Sequence, residues 1–148
     1  MSATEVTPNE FRAPVILLIE NDPNDVFLFR RALARAGYQG DVRVVGTATE
    51  ARAYMENTAP FKDPLYFRQP SLIVSDFRLV GHTALDFLRW LQCHPVLEQI
   101  PLIMLSGVSS GVDPNRLADI RVASFVQKSA DIGALAAALH PFLPRLSA

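Results

Sequence analysis

Three carboxylates, a hydroxyl and an ammonium each stand at the end of a short aliphatic run. Glu20, Asn21 and Asp22 follow VILLI, Asp76 follows SLIVS, Ser106 follows PLIML and precedes Gly107, and Lys128 follows SFVQ. The set holds no His and no Cys, so it yields neither a Ser/His/Asp triad nor an imidazole zinc site, and the phosphate-cradling patterns GxGxxG and GxxxxGK[ST] are absent. Glu20 and Asp76 brought to neighbouring strand ends would repel each other, which a raised carboxyl pKa or a bound cation relieves. Oxygen ligands with room for water suit Mg²⁺. A carboxylate beside a hard cation, faced by an ammonium and a hydroxyl, is a sensible acceptor for a phosphoryl group. Metal and ammonium offset the charge on the transferring oxygens, and the hydroxyl donates to one of them.

These groups converge only if the runs before them lie side by side. Val15 to Ile19, Val42 to Val45, Leu72 to Ser75, Pro101 to Leu105 and Ser124 to Gln127 are aliphatic or β-branched with little polar alternation, the pattern of parallel strands covered on both faces. Between them, Asp22-Pro23-Asn24-Asp25 sets an N-cap and a first-turn proline ahead of Val26, Phe29 and Leu33, in a helix ending near Gly37. Thr47-Ala48-Thr49-Glu50 is a capping box for a helix to about Glu56, and Thr83-Ala84-Leu85-Asp86 resembles one ahead of Leu88 and Leu91. Asp113-Pro114 caps a fourth, short helix, and a fifth runs from about Asp131 to Pro141. Five strands alternating with five helices predict a doubly wound α/β sandwich with right-handed crossovers. In such sheets ligands bind outside the carboxyl ends of the strands, where the chemistry-bearing residues stand. One segment stays apart: Asn57 to Pro70 carries three prolines and three aromatics, and reads either as a functional loop or as a loop lying on its own apolar patch.

The chain has 148 residues, the size of one domain. Hydrophobic residues at 49% with charged residues at 20% exclude intrinsic disorder. A net charge of −1 gives no basic field for nucleic acid or an anionic membrane. No apolar run approaches the roughly 20 residues of a membrane span, and the polar start MSATEVTPNE has no signal-peptide core; the expected location is the cytoplasm. Cys93, the single cysteine, can close no intrachain disulfide.

The stretches VILLIENDPNDVFLFRRAL, SLIVSDFRLVGHTALDFLRWL, IPLIMLSG and SFVQK, in that order and spacing, resemble the receiver domain of two-component response regulators. The likeness covers about Val15 to Leu143, leaving residues 1–14 and 144–148 as tails. It is nearest to stand-alone receivers that partner phytochrome-type histidine kinases, on the strength of CHPVLEQIPLIMLSG and the long loop before the third strand. The resemblance implies a flavodoxin-like sheet of order 2-1-3-4-5. It makes Asp76 the phosphoacceptor, Lys128 the cation paired with it, Ser106 the hydroxyl that follows the phosphoryl group, and Phe125 either the aromatic switch or a plain core residue. Mg²⁺ would be held by Glu20, Asn21, Asp76 and the backbone carbonyl of Arg78. The implied partners are a histidine kinase or phosphotransfer protein and a downstream protein target, with a homodimer through the fourth helix, fifth strand and fifth helix.

Three departures from the family pattern bear on this. The acid pair after the first strand reads Glu20-Asn21, and the lost charge weakens the expected Mg²⁺ binding. Asp22 is read as the helix cap rather than a replacement ligand. Lys128 is followed by Ser129 in place of a cis-proline, leaving open whether that bond is cis or whether a trans bond displaces the ammonium. Val80 replaces a proline before Gly81, and His82 and Thr83 follow where an acidic-glycine pair is common. The primary expectation is a phosphorylation-dependent signalling module, not an enzyme. The alternative is a degenerate receiver that binds or dimerises regardless of phosphorylation. An aspartyl-nucleophile phosphatase is disfavoured, because such sites want a second Asp two residues on, where Arg78 stands.

Overall fold

The computed structural model describes residues 13–79, 82–106 and 124–144. Strands β1 (Val15–Ile19), β2 (Asp41–Val45), β3 (Leu72–Asp76), β4 (Leu102–Ser106) and β5 (Ser124–Gln127) form one parallel sheet in the order β2-β1-β3-β4-β5. That is the expected 2-1-3-4-5 order. Helices α1 (Pro23–Arg35), α2 (Ala48–Glu56), α3 (Ala84–Gln92) and α4 (Ile132–Leu139) join them. The helix expected at Asp113-Pro114 lies outside the described residues. A two-residue ribbon, Arg78–Leu79 against His82–Thr83, links β3 to α3.

Because successive side chains of a strand point to opposite faces, the sheet divides the core in two. Leu17, Ile19, Ile73 and Met104 pack with Tyr54 and Met55 of α2 and Phe87, Leu88 and Leu91 of α3. Ile16, Leu18, Val74 and Leu105 pack with Phe29 and Leu33 of α1 and Leu135 and Leu139 of α4. Strands β1 and β3 are buried at every position, as the unbroken aliphatic runs require. The two-sided burial expected for all five strands fails at the edges: β2 is only partly covered, and β5 buries Val126 while exposing Phe125 and Gln127. An edge strand has a neighbour on one side only, so less surrounds it.

Start signals fall where composition put them. The Asp22 carboxylate accepts the Asn24 amide at 2.8 Å, with Pro23 opening α1. Thr47 Oγ1 accepts the Glu50 amide at 3.1 Å, and Asp131 Oδ1 accepts that of Ala134 at 3.2 Å. The Asn57 to Pro70 segment lies on an apolar patch of its own: Phe61 and Phe67 meet edge-to-face at 5.2 Å and both pack against Tyr54. The Tyr54 hydroxyl donates to the Arg68 carbonyl at 2.7 Å, and the Arg43 guanidinium lies 4.3 Å over the Tyr66 ring.

The turn from α1 into β2 is closed by Tyr38, whose hydroxyl lies 2.8 Å from the carbonyls of both Pro14 and Asp41. Gly40 passes so close that a Cβ there would collide with the Tyr38 hydroxyl and the Pro14 carbonyl. Gly40→Ala is therefore expected to cost about 1–3 kcal/mol by overpacking, read as a lower urea midpoint with an unchanged slope. An unaltered midpoint would show that the turn relaxes freely. No described helix is long and apolar enough to cross a membrane.

Candidate functional site

The parallel ladder delivers the chemistry-bearing residues to one edge of the sheet. Glu20 leaves β1 with its amide donating to the Val45 carbonyl at 2.9 Å. Asp76 ends β3 opposite Leu105, and the next amide, that of Phe77, donates to Leu105 at 2.8 Å. Ser106 ends β4 opposite Gln127, and its carbonyl accepts the Lys128 amide at 2.8 Å. The side chains of three of them then meet. Lys128 Nζ lies 2.9 Å from Glu20 Oε2 and 3.2 Å from Asp76 Oδ2. A third carboxylate joins: Asp25 Oδ2, in the first turn of α1, is 2.8 Å from the same ammonium.

Among the described residues the one cis peptide bond is Ala59-Pro60, so Lys128-Ser129 is trans. The displacement that a trans bond could have caused is not seen; the ammonium sits among the acids. Ser106 is half-buried one position beyond the partner of Asp76. Asn21 is exposed, and Asp22 turns its carboxylate to the helix amide and its own amide to Glu20 Oε1 at 3.0 Å. Arg78 opens the ribbon two residues after Asp76. Phe125 lies in β5 opposite Met104 and is 39% exposed, so the reading as a plain core residue fails.

Asp25 is the residue that sequence reasoning missed. An acid in the first turn of a helix complements the macrodipole, and that ordinary explanation hides any other. The signal that could have found it is its place in the first turn of α1, just beyond the carboxyl end of β1 where the other acids gather.

Burial pushes the Glu20 carboxyl above its ordinary value, and the neighbouring charge of Asp76 adds to this, while the Lys128 hydrogen bond and the Asp22 amide act against it. Burial pulls the Lys128 ammonium down, but the hydrogen bonds it donates to Asp25 and Glu20 and the charges of Glu20 and Asp76 outweigh it. Lys128 thus remains a cation beside Asp76.

Among the described residues no group of three or more His, Cys, Asp or Glu forms a metal cage. Mg²⁺ does not require one, since it is commonly held by one or two carboxylates and several waters. Glu20 and Asp76 offer only oxygen, and both are buried. The desolvation that raises the Glu20 carboxyl is what a cation relieves. The donor set fits that ion.

The protein-family model of the response regulator receiver domain matches residues 16–140. Among solved structures, the phosphorylated cyanobacterial phytochrome response regulator RcpA is 26% identical, with a TM-score of 0.74 over 87% of this chain and 90% of that one. The bacteriophytochrome response regulator RtBRR is 26% identical, with a TM-score of 0.73 over 86% of this chain and 76% of its own. The Mn²⁺-bound form of response regulator Rcp1 shares the fold at 20% identity and a TM-score of 0.73, covering 91% of this chain and 99% of that one. No curated protein gave a significant match. A parallel sheet of this order, an acid pocket closed by a lysine at its carboxyl edge, and a family match across most of its length lead to one conclusion: the chain belongs to the response regulator receiver family.

Proposed function

We propose that Asp76 accepts a phosphoryl group from a histidine kinase or phosphotransfer protein, and that the receiver, residues 15–143, passes the signal on by protein contact in the cytoplasm. The observation that carries this reading is the Lys128 ammonium 3.2 Å from Asp76 Oδ2, with Glu20 on the same cation. One Asp76 oxygen forms the O–P bond as the P–N bond of a phosphohistidine breaks, its electron pair returning to the imidazole. Lys128 offsets charge on the transferring oxygens. Glu20, Asp76, the Asn21 amide oxygen and the Arg78 carbonyl would hold Mg²⁺, which would supply the remaining neutralisation. The new charge on Asp76 draws the Ser106 hydroxyl toward it, and Phe125 reports that shift on the face formed by β5, α4 and the helix expected at Asp113-Pro114. The exposure of Phe125 supports that face as the contact surface for a downstream target or a second copy. Likeness to phytochrome response regulators favours a phytochrome-type kinase as the donor.

A second reading, a binding module indifferent to phosphorylation, rests on Asn21, which supplies no charge to the pocket. Intact mass after treatment with acetyl phosphate separates the two. The expected result is a gain of one phosphoryl group with Mg²⁺ and little without. Asn21→Asp should lower the Mg²⁺ concentration for half-maximal gain about tenfold, the effect of one added charge facing a divalent ion across solvent-screened distances. No gain under any Mg²⁺ concentration would leave the binding module standing.

A further inference from the structure

An ammonium has three N–H donors and no acceptor, and Lys128 faces three carboxylates. The nearest is Asp25 at 2.8 Å, then Glu20 at 2.9 Å, and the farthest is Asp76 at 3.2 Å. A phosphoryl group on Asp76 adds charge and strong acceptor oxygens that draw the ammonium toward Asp76, whereas the hydrogen bonds that now hold it run to Asp25 and Glu20. Moving toward the phosphoryl group loosens one of these two. Glu20 is less suited, since its side chain is 2% exposed and water reaches it far less readily. Asp25 is better suited: its side chain is 33% exposed. A cavity of about 20 Å³ adjoins the pair, lined by Asp25, Lys128 and Ser129 with four apolar side chains, room for one water.

We propose that Asp25 is a positioning residue that acts through Lys128: it holds the ammonium back in the unphosphorylated protein and competes with the phosphoryl group for it. The proposal rests on Asp76 being the phosphoacceptor. Asp25 does not touch the transferring group; it sets how much of the attraction of Lys128 is free to stabilise the phosphorylated state. Removing it frees the ammonium and shifts the balance toward phosphorylated Asp76.

The test is the steady-state phosphorylated fraction under acetyl phosphate and Mg²⁺, together with the rate of loss once the donor is removed, both by intact mass. Asp25→Ala should raise the ratio of phosphorylated to unphosphorylated protein about twofold to fivefold, the worth of one half-exposed ion pair. Asp25→Glu, which restores the carboxylate, should return the ratio toward wild type. In a Lys128→Ala background, Asp25→Ala should change nothing, because the group through which it acts is gone. If Asp25 acted only by its own negative charge on the phosphoryl group, the increase would persist in that background, which overturns the proposal. A ratio equal to or below wild type in Asp25→Ala, with the thermal midpoint preserved, overturns it as well. Wild-type protein that never gains the mass removes the phosphoacceptor reading and this proposal with it, whereas a normal wild-type gain with an unresponsive Asp25 removes only the latter.

Discussion

Asp76→Asn is expected to gain no phosphoryl mass from any donor while keeping its fold. The substitution preserves shape and removes the nucleophilic carboxylate, so the loss is one of chemistry. Its stability follows from two opposed contacts. Asp76 lies 3.2 Å from the Lys128 ammonium, an attraction, and raises the Glu20 carboxyl by its charge, a repulsion. Both are lost together, so urea unfolding should move by no more than about 1 kcal/mol. A variant that folds like wild type and still gains the mass would place the acceptor elsewhere.

Lys128→Met should be the most destabilising single change at the site. It leaves Glu20, Asp25 and Asp76 facing one another with no cation, and the Glu20 side chain is 2% exposed. Removing one partner of a buried pair typically costs about 3–5 kcal/mol. The lower end applies here, because the Lys128 side chain keeps 24% of its surface exposed. The pH dependence has a definite sign. The Glu20 carboxyl is raised above its ordinary value of 4.5 in the folded chain, so as pH climbs from there the unfolded state loses its proton first. Stability therefore falls with rising pH across that window. Lys128 opposes the rise through its hydrogen bond and its charge, so without it the window widens upward. The deficit of Lys128→Met should be smaller at about pH 5 than at about pH 7, since Glu20 can then fold neutral. Equal deficits at both values, by urea unfolding, would show that the cost is lost packing instead.

How much of this the sequence reveals depends on how local the cause is. The caps of α1 and α4 are legible because an Asp and the two or three residues after it settle them. A parallel sheet is legible because four of the five aliphatic runs are followed by a polar residue with chemistry to do, whereas the strand order comes from the resemblance to receiver domains. The burial of β5 is not legible, because Phe125 and Val126 are both apolar and point to opposite faces, and only the packing of α4 on one of those faces decides that Val126 is the one covered. Asp25 was hidden by a sufficient local explanation. The position of the Lys128 ammonium depends on where three distant acids lie, which no reading of the Lys128-Ser129 bond alone could give.

The lysine that closes the pocket has a consequence for how the chain folds. Lys128 is separated from Glu20 by 108 positions and from Asp25 by 103. Contacts across such spans close very large loops, and their entropy is recovered only after most of the chain is in place. The ammonium should thus arrive after the rate-limiting step, with a φ-value near zero. Weakening it would hasten unfolding and leave the folding rate almost untouched. The same pairings that ready Asp76 for chemistry then set how long the native state persists, and have little part in how fast it forms.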